Sequence, residues 1–321
     1  MLKSLLTSCC DNPTMIYHAS MRTDIPAFYS RWFYNRIRDG WFLVRNPYND
    51  QSVTKHSLDS SVVDLLMFCS KNPEPFLSGL DLLRNYRQSW NVTITPYGRD
   101  LEPNVPPKQE VINSVQYLAA AIGQDNIAWR YDPILITEKY SVEYHIHAFG
   151  KMAAMLKNSV SSVIISFVSI YPKLRTLAPF ICEVTLEEKH NIIGRFSEIA
   201  KQCGIPLKLC AEPHIYDPQM VDQSGCETLA GLENKIGCSI RLPHTKPKRP
   251  HCNCYLGIDM GSYNSCPHLC RYCYANNQTH EVTAAFNGHD PLSPILIGNI
   301  DERDAIASAK DKSYKVDGTL F

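Results

Sequence analysis

The sequence predicts an α/β protein: a (β/α) barrel of the TIM type with an irregular, cysteine-rich C-terminal segment. Three observations carry that expectation. Short apolar, β-branched or aromatic runs recur along the first two thirds of the chain; each closes in polar residues followed by proline; and stretches with helical spacing lie between them. Nearly continuous apolar strands that alternate with amphipathic helices belong to a parallel sheet covered on its faces. Repeats of roughly 20 to 40 residues suit a barrel, with a doubly wound open sheet as the alternative. At 321 residues the chain can bury a large core within one domain.

The strand-like runs, in order, are "MIYHASMRTDIP", "WFLVRNP", "VVDLLMFCSKNP", "WNVTITPYG", "IAWRYDP", "SVIISFVSIYP" and "LKLCAEP". Proline cannot continue a strand's hydrogen-bond ladder and favours the first turn of a helix, so the prolines mark strand ends. In "EVINSVQYLAAAIG" the residues Val111, Val115, Leu118, Ala119 and Ile122 share one helical face before Gly123 stops the helix. "VEYHIHAFGKMAAMLKN" and "LEEKHNIIGRFSEIAKQCG" behave alike. His145 and His147 alternate within the first of these, where helical geometry turns them to different faces and makes them packing or surface residues. After Glu227 the rhythm gives way to the proline-rich "RLPHTKPKRPHCNC", and "SPILIGNI" reads as a late strand. The expected organisation is a loose leader over residues 1–14, a barrel body over 15–240, a cysteine-rich segment over 241–300 that completes the same domain, and a polar tail over 301–321.

Composition narrows the function. Thirty-two basic residues balance 32 acidic ones, so no global field draws the chain to nucleic acid or an anionic membrane. The one basic run, Lys246, Lys248 and Arg249, sits among prolines and reads as a solvated loop. No stretch of about 18 apolar residues occurs, so no transmembrane helix is expected. The short apolar run of "MLKSLLTSCCDNPT" is too brief for a secretion signal. Thirteen cysteines in such a chain point to reduced thiols and metal in the cytoplasm, not to disulfides. Dinucleotide-binding, phosphate-loop and serine-hydrolase motifs are missing from the sequence.

A barrel opens all its βα loops onto the carboxyl-terminal face of the strands, where active sites sit. The polar strand ends that would meet there include Ser20, Arg22, Asp24, Arg45, Lys71, Thr95, Arg130, Asp132, Ser166, Glu212 and His214. Arg22, Asp24, Arg130, Asp132 and Glu212 are the candidate catalytic residues. Asp24 also reads as a helix N-cap, and Asp132 before Pro133 as a turn residue.

The stretch "CPHLCRYCYANN" sets Cys266, Cys270 and Cys273 in a C-x3-C-x2-C pattern with Tyr272 just before the last cysteine. Three thiolates on one loop can hold three irons of a [4Fe-4S] cubane and leave the fourth open to a small chelating molecule. A zinc site is the alternative, because "CRYC" is also half of many structural zinc sites, and Cys252, Cys254, His251 or His268 could complete it. Cys210, Cys226, Cys252 and Cys254 make a further set of four, enough for a second iron-sulfur cluster or a zinc ion, although Cys210 also reads as a buried thiol. Cys69, Cys182, Cys203 and Cys238 lie in apolar or helical settings and look structural.

The cysteine pattern resembles that of the radical S-adenosylmethionine superfamily. That resemblance implies a [4Fe-4S] cluster on Cys266, Cys270 and Cys273, S-adenosylmethionine on the open iron, and Tyr272 near its adenine. It also implies a one-electron donor such as a flavodoxin or ferredoxin. Those enzymes place the cluster loop after the first barrel strand, whereas here it follows nearly all of them. From "ASMRTDIPAFYSRWFYNRI" through "VRNP", "KNPEP", "TPYGRDLEPNVPP", "WRYDPILIT" and "CAE" to "GIDMGSYNSCPHLCRYCYAN", the chain looks like a bacterial family of unknown function with such a cluster at its C-terminus. The expected activity is therefore radical chemistry on an unknown substrate at the barrel mouth. A zinc-stabilised barrel with a structural cysteine clasp and a hydrolytic or binding function stands against it. Radical modification of nucleic acid is a third class, which the neutral net charge does not support.

Overall fold

The computed structural model describes residues 15–19, 21–213, 216–242, 251–252 and 254–310. The leader, Ser20, His214, the basic run and the end of the tail lie outside the described residues. The chain opens with β1 (Met15–Ala19), α1 (Ile25–Phe28), α2 (Ser30–Asp39), β2 (Trp41–Asn46), β3 (Asn49–Ser57) and β4 (Val63–Ser70). Then come α3 (Glu74–Leu77), β5 (Gln88–Thr93), α4 (Lys108–Ile122), β6 (Ile127–Ile134), α5 (Val142–Leu156), β7 (Ser162–Phe167) and α6 (Pro172–Leu177). The last elements are α7 (Leu186–Cys203), β8 (Leu207–Leu209), α8 (Leu229–Ile236), β9 (Ile258–Asp259), α9 (Thr279–Asn287) and β10 (Ala305–Ser308).

Seven strands form one parallel sheet in the order β8-β7-β6-β5-β4-β1-β9. From β1 the order follows the sequence to β8 on one side, with β9 on the other. This is how a barrel looks when opened between its last and first strands. Among the described residues β8 and β9 are not paired, so the sheet is a row and not a hydrogen-bonded ring. Both of its faces are covered, which is why its strands read as continuous apolar runs. On one face Leu66, Phe68, Trp90, Val92, Trp129, Tyr131, Val163 and Ile165 share a core with residues of α4, α5 and α7, such as Val115, Phe149 and Phe196. Phe149 and Phe196 stack with ring centroids 3.8 Å apart. On the opposite face Ile16, Leu65 and Met67 pack on Leu232 and Ile236 of α8, and Ala128 and Ile164 pack on Cys210, Cys252 and Cys254.

Local signals set the helix limits. Thr185 and Glu188 form a reciprocal capping box at the start of α7, and Gly204 ends it in the left-handed conformation at φ 69°. Pro26 and Pro172 sit in the first turns of α1 and α6. His145 is fully buried, with Nδ1 against the Tyr131 hydroxyl at 2.8 Å and Nε2 against the Leu135 carbonyl at 2.9 Å. His147 is exposed on the same helix.

Three expectations need correction. The run "WFLVRNP" is not a strand of the main sheet. Pro47 starts a two-residue turn, and β3 folds back antiparallel on β2 in a separate sheet of order β10-β3-β2. Arg45 accordingly pairs with Asp304, not with the strand-end residues. "SPILIGNI" contributes a single bridge, Leu43 to Ile295, and the late strand is β10 instead, within residues read as polar tail. Every β10 residue is exposed, so it has no apolar pattern to read; pairing with β3 alone defines it.

Candidate functional site

All seven strands are parallel, so their carboxyl ends lie along one edge, the usual place for sites in such sheets. β9 runs parallel to β1, and the chain therefore leaves it at that same edge. Residues 264–277 follow at once. Their ends are tied together: the Asn264 amide donates to the Ala275 carbonyl at 2.9 Å, the Asn277 amide to the Asn264 side chain at 2.6 Å, and the Asn276 side chain to the Cys266 carbonyl at 2.8 Å. The final "ANN" of the motif is thus the latch of the cysteine loop.

Three polar anchors hold this loop to the sheet edge. Asp24 caps α1 by accepting from the Ala27 amide at 3.0 Å. It also accepts from the Ser70 hydroxyl at 2.8 Å and the Lys71 amide at 2.7 Å, and meets Nε2 of His268, inside the cysteine loop, at 2.9 Å. Arg22 pairs with Asp259 of β9 at 2.7 Å, and Asp259 accepts from the amides of Met21 and Gly261 at 3.1 and 2.9 Å. The segment after β5 supplies the third anchor. The Asn104 side chain donates to the Pro267 carbonyl at 2.7 Å, and the Arg271 amide donates to the Leu101 carbonyl at 2.9 Å.

Glu102 is the centre of that third contact. It is 1% exposed and accepts from Lys71 at 2.7 Å, Thr95 at 2.6 Å, Lys108, and the Tyr272 hydroxyl. Burial alone would raise its pKa, but the two ammonium groups outweigh that and hold it at about 2. Burial presses on both lysines too. Lys71, answered by Glu102 and Cys270, ends above the usual lysine range, while Lys108 ends below it. Tyr272 is 8% exposed, meets Tyr97 edge to face at 5.8 Å, and lies under the Lys71 ammonium at 5.7 Å.

The sequence-predicted residues fall into separate groups. Arg22 and Asp24 brace the cysteine loop from below. Arg130 and Asp132 form an ion pair at the end of β6, where Asp132 also accepts from the Ser166 hydroxyl of β7. Glu212, beyond β8, pairs with Lys189 of α7 at 2.8 Å. Glu102, Lys108, Asp259 and Lys189 were not singled out in the sequence. Nothing in local spacing marks Glu102, because its partners Lys71 and Lys108 lie 31 and 6 residues away.

The two cysteine sets differ in geometry. Burial pushes the Cys266 thiol well above its usual range, aided by Asp24, and pushes Cys270 up to about 12 against the pull of Lys71. Among the described residues, the sulfurs of Cys210, Cys226 and Cys254 all lie within 4.8 Å of one another. The sulfurs of Cys266, Cys270 and Cys273 are not all within that distance of one another. The described cysteines are all free thiols. Both sets are all-sulfur donor sets, which favour soft or borderline metals over calcium or magnesium. No helix among the described residues is long and apolar enough to cross a membrane.

No curated protein matches the chain. Among solved structures, one titled "putative alpha-L-fucosidase", from Bacteroides thetaiotaomicron, aligns at 13% identity over 66% of this chain and 78% of its own. Its TM-score of 0.25 is too low to bear on fold or function. A domain of unknown function, DUF1848, matches residues 16–275, well over half of the sequence, and the chain belongs to that family.

Proposed function

We propose that the chain is an iron-sulfur enzyme of the radical S-adenosylmethionine type, with an open-iron cluster on Cys266, Cys270 and Cys273. The observation that carries this reading is the loop itself. Three thiols, not all within 4.8 Å of one another, stand at the carboxyl edge of a parallel sheet on a loop that buried polar contacts clamp in place. One tetrahedral zinc would draw its sulfurs to about 3.8 Å from one another, given Zn–S bonds near 2.3 Å. A cubane distributes its cysteines over separate irons. Cys266, Cys270 and Cys273 would hold such a cluster, which would supply one-electron reductive cleavage of S-adenosylmethionine and hydrogen abstraction from the substrate.

The chain's own residues supply position and charge. Lys71 and Lys108 place two ammonium groups near Cys270, which offsets negative charge on thiolates there. Asp24 and Arg22 keep the loop on β1 and β9. Arg130, Asp132, Ser166 and the Lys189–Glu212 pair offer charged and hydrogen-bonding groups along the same edge for a polar substrate. In this reading the row of strands is the wall of a TIM-like barrel, and β9, beside β1, delivers the loop to the place it reaches from the first strand in the enzymes it resembles. The reading calls for a one-electron donor of the flavodoxin or ferredoxin type and a reducing compartment such as the cytoplasm.

Anaerobically purified protein should carry about four irons and four sulfides on this loop and, once reduced, convert S-adenosylmethionine to 5′-deoxyadenosine and methionine. Cys270→Ala should lose the iron, the sulfide and the conversion. Full retention of iron and sulfide in that variant would overturn the assignment.

A further inference from the structure

The second cysteine set is built from three distant segments. Cys210 follows β8 directly, its amide donating to the Ile165 carbonyl at 2.9 Å. Cys226 follows a stretch that extends the sheet beyond β8, where the Leu209 and Asp222 backbones bond at 2.8 Å. Cys252 and Cys254 precede β9. The sulfurs of Cys226 and Cys254 stand 3.1 Å apart, and those of Cys210 and Cys226 stand 3.5 Å apart. The sulfurs of Cys210, Cys226 and Cys254 all lie within 4.8 Å of one another, and Cys252 is buried in the same cluster. These contacts are far longer than a disulfide, about 2.05 Å, and close to the sulfur spacing that one tetrahedral ion imposes.

The location gives the cluster a purpose. β8 and β9 are the two unpaired ends of the row. A backbone bond, from the Tyr255 amide to the Glu227 carbonyl at 2.9 Å, joins the segments beside them, and Cys226 and Cys254 flank that bond. We propose that Cys210, Cys226, Cys252 and Cys254 form a four-thiolate tetrahedral site for one zinc ion, which staples the β8 end of the sheet to the segment entering β9. Zinc displaces four thiol protons and leaves a centre of net charge −2, with no change in oxidation state. The Arg130 guanidinium, which feels the charges of Cys226 and Cys210 besides that of Asp132, supplies a counter-charge from β6. The site does not depend on the iron-sulfur reading of the mouth loop.

The test separates the two centres. In a variant carrying Cys266→Ala, Cys270→Ala and Cys273→Ala, about one zinc per chain should remain after iron and sulfide are gone. In Cys226→Ser or Cys254→Ser that zinc should be lost. Replacing the metal of wild-type protein with Co2+ should give thiolate-to-cobalt charge-transfer absorption and the visible bands of tetrahedral cobalt, abolished on adding Zn2+. This readout needs no variant, and Cys252→Ser should weaken the charge-transfer band even where the inner two variants do not fold. Iron and sulfide but no zinc in the triple variant would make the site an auxiliary cluster and overturn the proposal. Wild-type protein without thiolate-to-cobalt absorption would overturn it as well.

Discussion

The two cysteine sets hold their ligands by opposite strategies. At the carboxyl edge of the sheet, one loop carries all three thiols, and the fold's work is to clamp that loop with Asp24, Asp259 and Glu102. At the seam between β8 and β9, three segments each bring a thiol or two, and the ligands themselves join those segments. The first arrangement is local, so a metal bound there could leave while the sheet stands. The second is long-range, so a metal bound there would help keep the ends of the sheet together, as in structural zinc sites where binding energy is folding energy.

That contrast is open to direct attack. The largest effect is expected from the cysteines. Cys254→Ser should lose zinc and unfold at distinctly lower urea concentration, while Cys270→Ala should lose iron and sulfide with a much smaller shift in the urea midpoint. Equal midpoint shifts would erase the distinction between a clamped loop and a stapled seam. Next comes Glu102→Ala, which strands the ammonium groups of Lys71 and Lys108 at a buried site and should cost about 3–5 kcal/mol of stability, measured by urea unfolding.

The same carboxylate gives a pH signature. Its folded pKa of about 2 lies below the ordinary 4.5, so its contribution is complete above pH 4.5 and is lost as pH falls from there through about 2. The amount at stake is about 3 kcal/mol, and Glu102→Gln should flatten that part of the stability–pH curve. The smallest effect is that of Asp24→Asn. Asparagine keeps a capping oxygen but loses the charge that meets His268, the Ser70 hydroxyl and the Lys71 amide, at a cost of about 1–2 kcal/mol. Iron content should fall in this variant while zinc content holds.

The same contrast explains what the sequence could reveal. The cysteine loop was legible because three thiols on one loop leave a spacing, and the parallel sheet was legible because burial on both faces leaves apolar runs. Helices α4, α5 and α7 were legible from their faces and from Gly123 and Gly204. The clamp was not. Glu102 meets lysines from β4's end and from α4, and His268 reaches a residue 244 positions away, contacts that only the folded sheet creates. The four seam cysteines could be counted, but only the folded contact between the Glu227 and Tyr255 backbones shows how their segments come together. "WFLVRNP" misled because Pro47 opens a hairpin turn, whereas Pro26 and Pro172 open helices.

The central claim is an open iron on the mouth loop, and electron paramagnetic resonance of the reduced, anaerobic protein with and without S-adenosylmethionine tests it most directly. A [4Fe-4S] signal whose shape changes when S-adenosylmethionine is added, and which is absent from Cys270→Ala, is the expected result. A cluster signal indifferent to S-adenosylmethionine, or zinc in place of iron on Cys266, Cys270 and Cys273, would contradict the account.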